Sequence, residues 1–310
     1  MSISATIVAD SIANGKRITT WELEYPRFIH AELMTHRMFS RNAASSRAIP
    51  IEKTLEQVAA NPAGPEEWGI NQSGMQAKQI MRGWQKKTAQ GTWGQAAKAA
   101  TESAKKLQKL GLHKQIVNRV LEPFVHMKVV VTATEWNNWY HLRDHQDAQP
   151  EIRILAALMR ERVEYSIPRE LKEGEWHVPY VELKTEAGGA YPVIQLHEDG
   201  EEAIWKRLTW EEALKISSSC CAQVSYRLLD TSMEKAIKIY DMLVSNKPVH
   251  ASPFEHQATP MLRLEDSGSS CGVPWEEGVT HTDRSYKFWS GNFQGWVQHR
   301  QLIKDNVVVG

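Results

Sequence analysis

The sequence THRMFSRNAASSR, residues 35–47, places three arginines, a histidine, several hydroxyls and an amide within thirteen residues. Arginine forks match phosphate oxygens in pairs, hydroxyls and loop amides add donors, and the alanines let a ligand approach closely. This composition indicates an anion site at the end of a helix. A solvated helix end with capping serines is the alternative that composition alone leaves open.

Predicted elements extend outward from this segment. TTWELEYPRF, residues 19–28, alternates partly between apolar and polar and predicts a strand that ends in a turn at Pro26. FIHAELMTHRMF, residues 28–39, predicts a helix, and residues 40–50 predict a loop because they contain few large apolar side chains. VHMKVVVTATEW, residues 125–136, predicts either a buried strand or a buried helix turn.

Apolar spacing and start signals predict further helices. These cover residues 94–110, residues 113–123, a stretch after Pro150 with Ile152, Leu155, Leu158 and Met159 on one face, residues 210–214, and residues 232–243 with Asp230 or Thr231 as N-cap. Residues 177–199 suggest short strands and turns. We therefore predict one α+β domain over residues 1–310, with a small antiparallel sheet, long helices and a variable connection at residues 62–92.

Bulk composition limits the classes of partner. Lys plus Arg and Asp plus Glu both number 37, so the chain lacks the basic excess expected of a nucleic-acid-binding protein, and local arginines must bind anions. The three cysteines, Cys220, Cys221 and Cys271, are too few for a disulfide framework, which favours a reducing compartment. No signal peptide or run of ~18 apolar residues appears. We expect a soluble, cytoplasmic protein (host cytoplasm if the source is viral) without membrane or nucleic-acid partners.

The order of residues 35–47 resembles the signature of flavin-dependent thymidylate synthases, Arg-His-Arg-x-x-Ser-x-Asn-x-x-Ser-x-Arg. Every fixed position matches except the first, where Thr35 replaces arginine. Ala43 stands where family members commonly have glutamate. A pattern with so many fixed positions is highly specific.

Two further segments resemble motifs of the same family. NNWYHLRDHQDAQPEI, residues 137–152, looks like Asn-x-x-x-Leu-Arg-x-x-x-x-Ala-Gln-x-Glu-Ile. In the family the arginine matching Arg143 sits against the uracil edge and favours the N3-deprotonated base, which makes C5 a better nucleophile. Asp147 replaces the family's usual histidine, and Thr134 replaces a flavin-contacting arginine. HKQIVNRVLEPF is similar to Glu-x-x-Arg-x-Val-Leu-Pro and offers Arg119 as a substrate ligand.

Two motifs stand in an unexpected place. CAQVSYR, residues 221–227, and HASPFEH, residues 250–256, resemble segments that precede the Arg-His-Arg motif in most family members. The simplest interpretation is a circularly permuted, phage-like divergent member, which is feasible where termini lie close together on the surface. It predicts that residues 250–256 lie beside residues 35–47 in space. The resemblance then covers about two thirds of the chain.

The resemblance also implies the site residues and the reaction. The implied flavin contacts are His36, Arg37, Asn42, Asn138, Ser252 and Glu255. The implied substrate contacts are Glu32, Ser45, Ser46, Arg47, Arg119 and Arg143, with Arg143 and Ser45 as catalytic residues. A homotetramer of the thymidylate synthase-complementing protein fold would bind FAD and convert dUMP to dTMP, with methylenetetrahydrofolate and NADPH as co-substrates.

Other interpretations stay open beside this one. Methylation or hydroxymethylation at C5 of another pyrimidine nucleotide is one, and a non-catalytic nucleotide-binding homologue is another. His141 and His145 have the spacing of a metal pair, but no third ligand can be named, and no metal is predicted. Cys220 and Cys221 lack the Pro-Cys-His setting of thiolate-dependent thymidylate synthases, so we predict that they are small buried hydrophobic residues.

Overall fold

Helices and antiparallel sheets form separate parts of an α+β fold. The computed structural model describes residues 3–196, 204–224, 232–266 and 274–307. The strands are β1 (Ser4–Ala13), β2 (Lys16–Pro26), β3 (Ser40–Ala43), β4 (His126–Ala133), β5 (Arg169–Glu170), β6 (Glu182–Glu186), β7 (Gly189–Leu196), β8 (Ile204–Arg207), β9 (Ala258–Pro260), β10 (His281–Thr282), β11 (Phe288–Ser290), β12 (Phe293–Gln294) and β13 (Trp296–Gln298). The α-helices are α1 (His30–Leu33), α2 (Ile51–Ala60), α3 (Gly83–Lys109), α4 (Lys114–Val117), α5 (Asn137–Arg143), α6 (Pro150–Tyr165), α7 (Trp210–Ala222) and α8 (Met233–Ser245). Short 3-10 helices cover Arg27–Ile29, Asn118–Phe124, Ser252–Glu255 and His299–Leu302.

The largest of these sheets is built around β2. Its order is β3-β4-β2-β1-β5, and all neighbours are antiparallel except β1 and β5. Trp21, Leu23 and Tyr25 of β2 are fully buried, and β2 ends at Pro26 as the sequence predicts. The ambiguous segment at residues 125–136 forms the buried strand β4, which lies between β2 and β3.

A tight turn at Asn14 and Gly15 joins β1 to β2. Both residues have positive φ, 50° and 74°, and Ala13 pairs with Lys16 across the turn. Two consecutive positive φ angles define a type I′ turn, whose twist matches that of the flanking strands and for which Asn-Gly is a favoured pair. The dipeptide was therefore a usable signal for a hairpin that the sequence analysis did not include.

Helix α6 covers one face of this sheet. It begins at Pro150, as predicted, because proline lacks only an N–H that the first turn leaves unpaired. Ile152, Leu155 and Met159 are fully buried in the same cluster as the side chains of β2, and Leu158 packs at its edge. Burial contributes roughly 1.5–3 kcal/mol for each large side chain, so this helix face anchors the residues that precede it.

Two predictions around residues 28–50 were wrong. The helix predicted for residues 28–39 is only the short α1, because Arg41 turns back and donates to the carbonyls of Met34 (2.9 Å) and His36 (3.2 Å). The predicted loop begins as strand β3, which pairs with β4. Ser40 and Asn42 of β3 face inward and alternate with the less buried Arg41 and Ala43. The buried positions of this strand are therefore polar, and the usual alternation of apolar and polar residues is absent.

Other boundaries also differ from the predictions. Helix α3 begins at Gly83, inside the predicted variable connection, and α7 continues to Ala222. Ser232 occupies the N-cap position of α8, whereas the caps predicted at Asp230 and Thr231 lie outside the described residues. In the described part of the chain, no helix combines the length and apolar character needed to cross a membrane.

Residues 252–255 pack beside β3, so the predicted neighbourhood of the two distant motifs is confirmed. Gln298 joins them directly, because its amide nitrogen donates to Ser40 Oγ (3.1 Å) and to the Glu255 carbonyl (3.2 Å). The Asn42 amide also donates to the carbonyl of Cys221 (3.1 Å). Residues 225–227 of the CAQVSYR motif, and Cys271, lie outside the described residues.

Cys220 and Cys221 are fully buried in α7, and neither forms a disulfide. Burial raises the pKa of the Cys221 thiol well above its ordinary value. A raised pKa keeps the sulfur protonated and unreactive. This confirms the prediction that the two residues are buried small hydrophobes.

A chain of buried polar side chains crosses the sheet. His177 bonds Ser11 Oγ through Nδ1 (2.9 Å) and Thr20 Oγ1 through Nε2 (2.8 Å). Thr20 Oγ1 bonds Thr132 Oγ1 (2.7 Å), which bonds His256 Nδ1 (2.8 Å). Burial lowers the pKa of both histidines to about 3, so both are neutral at neutral pH.

We predict that acid weakens the fold through these two histidines. Their ordinary pKa is 6.5 and their folded pKa is about 3. Between these values the unfolded chain binds protons that the folded chain excludes, so stability falls as pH falls from 6.5. His256→Asn keeps a side chain able to bond Thr132 but removes the titrating group. It should reduce the slope of the free energy of unfolding against pH by roughly 1.4 kcal/mol per pH unit.

Urea unfolding of the wild type and His256→Asn at pH 7, 6, 5 and 4.5 measures this difference. His141→Asn is the matched control, because His141 is exposed. Equal pH slopes for all three proteins would contradict the prediction.

Candidate active site

The segment at residues 35–47 runs through three local structures: a turn at residues 34–39, strand β3, and a loop that leads to α2. Strand β3 is fixed on β4 from Ser40, opposite Thr132, to Ala43, opposite Val129. The Ala44 N–H extends the ladder by donating to the Lys128 carbonyl (2.8 Å). Backbone hydrogen bonds therefore hold the centre of the motif, and its two ends contact different parts of the protein.

The first end surrounds Arg143, the last residue of α5. Its Nε donates to His36 Nε2 (3.0 Å), its Nη1 to Glu32 Oε2 (2.9 Å) and its Nη2 to Thr35 Oγ1 (3.2 Å). Four residues that the sequence analysis singled out thus meet at one guanidinium. A guanidinium carries five N–H groups, so two remain for a ligand.

His36 in this cluster is neutral. Burial, with the nearby positive charge of Arg143, lowers its pKa to about 4. Because Nε2 accepts a hydrogen bond from Arg143, the ring proton is on Nδ1. The ring also stacks on Phe39 (centroids 5.5 Å apart) and meets the edge of Trp139 (4.8 Å), which fixes its orientation.

A cavity of about 640 Å³ lies beside Arg143. Its walls are Glu32 and Arg143, the residues at the start of α6, and residues 67–80. Its charged groups are two arginines and three carboxylates, and Arg153 is paired with Glu67 (2.6 Å) as Arg143 is with Glu32. Every cation of the wall therefore already has a carboxylate partner.

The second end of the motif meets Arg119. Ser46 Oγ and Arg119 Nη1 each donate to Glu122 Oε1 (both 2.9 Å), and Arg27 Nη2 lies 3.1 Å from the same oxygen. Asn118 holds the loop by donating to the Ser46 carbonyl (2.7 Å). The predicted substrate residues Ser46 and Arg119 thus come together.

Arg37 and Arg47 are exposed, and within the described residues neither guanidinium has an ion-pair or hydrogen-bond partner. The backbone N–H of Arg47 donates to Ser45 Oγ (3.3 Å), which keeps these two residues adjacent. Asn138, at the start of α5, is exposed as well. These three side chains are therefore available to ligands.

Ser252 and Glu255 form a third group. Glu255 pairs with Arg300, and its negative charge acts on Arg41 of β3. Its predicted flavin contact stays a prediction, as do those of His36 and Asn42, whose side chains bond Arg143 and Cys221.

Two substituted positions have their hydroxyls bonded within the protein. Thr35 Oγ1 donates to the Glu32 carbonyl (2.6 Å) and accepts from Arg143. Thr134 Oγ1 accepts the Gln294 N–H (3.1 Å).

Among the described residues, no group of three or more His, Cys, Asp or Glu side chains is arranged to hold a metal ion. His145 lies 3.7 Å from Asp147.

Sequence analysis missed two sets of residues. Residues 67–80 line the cavity, yet they carry no periodic pattern and were assigned to a variable connection. Asn292 and Gln298 bond Ser40, and Arg300 pairs with Glu255, although sequence analysis identified no motif after residue 256. No local signal marks either set, because each acts through partners distant in sequence.

Residues 17–169, about half of the chain, match the family model for thymidylate synthase complementing proteins. The chain belongs to this family. The matched range includes the motifs at residues 35–47 and 137–152 and ends before those at residues 221–227 and 250–256. The permuted order of the chain therefore stays a prediction, although the spatial neighbourhood it requires is present.

Two similar solved structures are of the UMP/dUMP methylase PolB from Streptomyces cacaoi. The one bound with 5-Br dUMP has a TM-score of 0.42 and 16% identity, over 52% of this chain and 89% of that chain. The one bound with 5-Br UMP has a TM-score of 0.42 and 18% identity, over 52% of this chain and 88% of that chain. No curated protein matches the chain.

We predict that the pKa of His36 depends on the charge of Arg143. Arg143→Ala should raise it above about 4, because the variant removes a neighbouring positive charge. Arg143→Lys keeps a cation and should leave it low. NMR titration of the His36 ring measures both values, and an unchanged pKa in Arg143→Ala would contradict the role given to that charge.

Proposed function

We propose that the protein is a flavin-dependent thymidylate synthase. It converts dUMP, methylenetetrahydrofolate, NADPH and a proton into dTMP, tetrahydrofolate and NADP⁺. The observation that carries the proposal is the guanidinium of Arg143, which three protein groups fix at the wall of a 640 Å³ cavity in a member of this family.

Arg143 acts on the base. Its two remaining N–H groups suit the edge of a uracil ring, where they favour the form deprotonated at N3. Electron density then rises at C5, which attacks the one-carbon unit. Because Glu32, His36 and Thr35 fix the guanidinium in advance, little reorganisation is needed as the negative charge develops.

Arg47, Ser45 and Ser46 bind the nucleotide phosphate, with Arg119 beside them. The exposed guanidinium of Arg47 is suited to a bidentate bond with phosphate. The Ser46 hydroxyl, which donates to Glu122 in the free protein, would turn to the bound anion. Within the described residues, no hydrogen bond or ion pair joins this group to Arg143. The proposed enzyme is a homotetramer whose sites combine residues of different copies, as the resemblance to the family implies.

The donor set fits FAD at Arg37 and Asn138. An exposed arginine suits the diphosphate and an exposed amide suits the polar edge of the flavin ring, and both side chains are available. Ser252 and Glu255, close to β3, complete the proposed flavin contacts. When bound, reduced flavin supplies the hydride that turns the transferred one-carbon unit into a methyl group.

A second candidate is methylation or hydroxymethylation at C5 of another pyrimidine nucleotide. The hydroxyls of Thr35 and Thr134 are used within the protein, at two positions where the family has arginine. Ala43 also lacks the carboxylate common at its position. These changes favour a site that differs in detail from that of other family members. A non-catalytic homologue is the third possibility.

Product analysis tests the proposal. Purified protein with FAD, NADPH and methylenetetrahydrofolate should convert dUMP to dTMP, and Arg143→Lys should lose at least about 100-fold in turnover because a point charge does not reproduce a planar fork. Product from UMP or dCMP instead of dUMP would favour the second candidate. A folded protein that binds nucleotide but retains no flavin and makes no product would show a non-catalytic homologue.

We predict that Arg47 and Arg37 separate the two ligands. Arg47→Ala should lower the affinity for dUMP by about 10- to 100-fold and leave the affinity for FAD nearly unchanged. Arg37→Ala should lower the affinity for FAD instead and leave that for dUMP nearly unchanged. Each variant removes one charge-assisted contact. Titration of each ligand into each variant measures the split. Equal losses of both ligands in both variants would show that the two arginines are structural.

A further inference from the structure

Residues 68–81, here called the cavity loop, form a closed loop whose ends are joined. The Met81 N–H donates to the Trp68 carbonyl (2.7 Å), and the Ile70 N–H donates to the Gln79 carbonyl (2.7 Å). Gly69 and Ile80 lie opposite each other in a β-bridge. The two arms therefore support one another.

Three contacts attach the cavity loop and the two residues before it to residues 147–153. The Glu66 N–H donates to Glu151 Oε1 (2.7 Å), a carboxylate that is 2% exposed. Glu67 pairs with Arg153 (2.6 Å), and the Gln76 amide donates to the Asp147 carbonyl. The loop thus lines the same cavity as Arg143, and it is fixed to the residues that follow Arg143 in the chain.

The charges of the cavity indicate which part of a nucleotide it holds. Its two arginines are paired with glutamates, and Asp147 adds a further carboxylate. A phosphate placed there would meet no spare cation and would lose its hydration. A pyrimidine ring carries at most one delocalised negative charge and can use the two remaining N–H groups of Arg143. It also meets polar amide groups elsewhere on the wall.

We propose that the cavity loop is the specificity-determining wall for the nucleobase. It holds the pyrimidine ring of the substrate against Arg143, while the phosphate stays outside on Arg47, with Arg119 beside it. The inference rests on the proposed function, because it takes the ligand to be a pyrimidine nucleotide. Gln76 is the positioning residue of this wall, since its side chain ties the loop to Asp147.

Gly69 gives a sharp way to disturb the loop. A Cβ at this position would overlap the Cβ of Ala77 on the opposite arm, so Gly69→Ala must push the arms apart. Gly91 in α3 is the matched control, because a Cβ there meets no atom within 4 Å. Both variants add one methyl group, and only the first lies at the cavity.

The experiment measures the affinity of three probes by calorimetry, with FAD present throughout. The probes are 2′-deoxyuridine, dUMP and inorganic phosphate. Gly69→Ala should lower the affinities for 2′-deoxyuridine and dUMP by a similar factor, on the order of tenfold, and leave the affinity for inorganic phosphate unchanged. Gly91→Ala should bind all three like the wild type. Amide exchange of residues 69–81 should slow when 2′-deoxyuridine is added and should not respond to inorganic phosphate.

The outcomes separate this inference from the function it rests on. Wild type that binds neither 2′-deoxyuridine nor dUMP would overturn both. Wild type that binds dUMP, together with a Gly69→Ala protein that binds 2′-deoxyuridine equally well, would overturn the cavity loop alone. If Gly69→Ala does not fold, Gln76→Ala serves in its place, since it removes the wall side chain that bonds Asp147 and keeps the backbone bonds between the two arms. Unchanged affinity in that variant, with no protection of residues 69–81, would reject the proposal.

Discussion

The fixed guanidinium of Arg143 is the interaction on which the candidate site depends. Glu32, Thr35 and His36 belong to one short stretch of chain, and Arg143 ties that stretch to the end of α5. Hydrogen bonds to charged groups contribute roughly 1.5–3 kcal/mol each. The arrangement also requires a neutral His36, because a protonated ring could not accept from Arg143. Burial and the adjacent positive charge together supply that condition.

Sequence order predicted the elements whose signal is local. Pro150 marks the start of α6, and Arg143 could be singled out because its motif is continuous along the chain. Strand β3 was missed, since Ser40–Ala43 contains no large apolar side chain and becomes a strand only because β4, more than eighty residues later, pairs with it. The cavity wall at residues 67–80 was missed for the same reason. Its position comes from Glu151 and Arg153, which are distant in sequence.

The C-terminal part of the chain supports the motif from behind. Asn292 donates to the Met38 carbonyl (2.9 Å) and accepts from Ser40 Oγ (3.1 Å), while Gln298 reaches Ser40 and the Glu255 carbonyl. These bonds are made by amides, which both donate and accept and so satisfy buried polar atoms of either kind. The residues that resemble early family motifs and the residues after them therefore act together on β3, although they come last in the chain.

Glu122 has more cationic partners than it needs. Arg27 and Arg119 both bond its Oε1, and the side chain of Arg119 is 53% exposed whereas that of Arg27 is 23% exposed. If Arg119 swings away to meet an incoming anion, Glu122 keeps Arg27 and is not left as an unpaired, half-buried charge. The free-energy cost of leaving a partly buried charge unpaired, which normally opposes breaking an ion pair, is thereby reduced. Glu122 thus holds Arg119 in position while it is free of ligand, and it can release Arg119 to an anion because Arg27 stays in place.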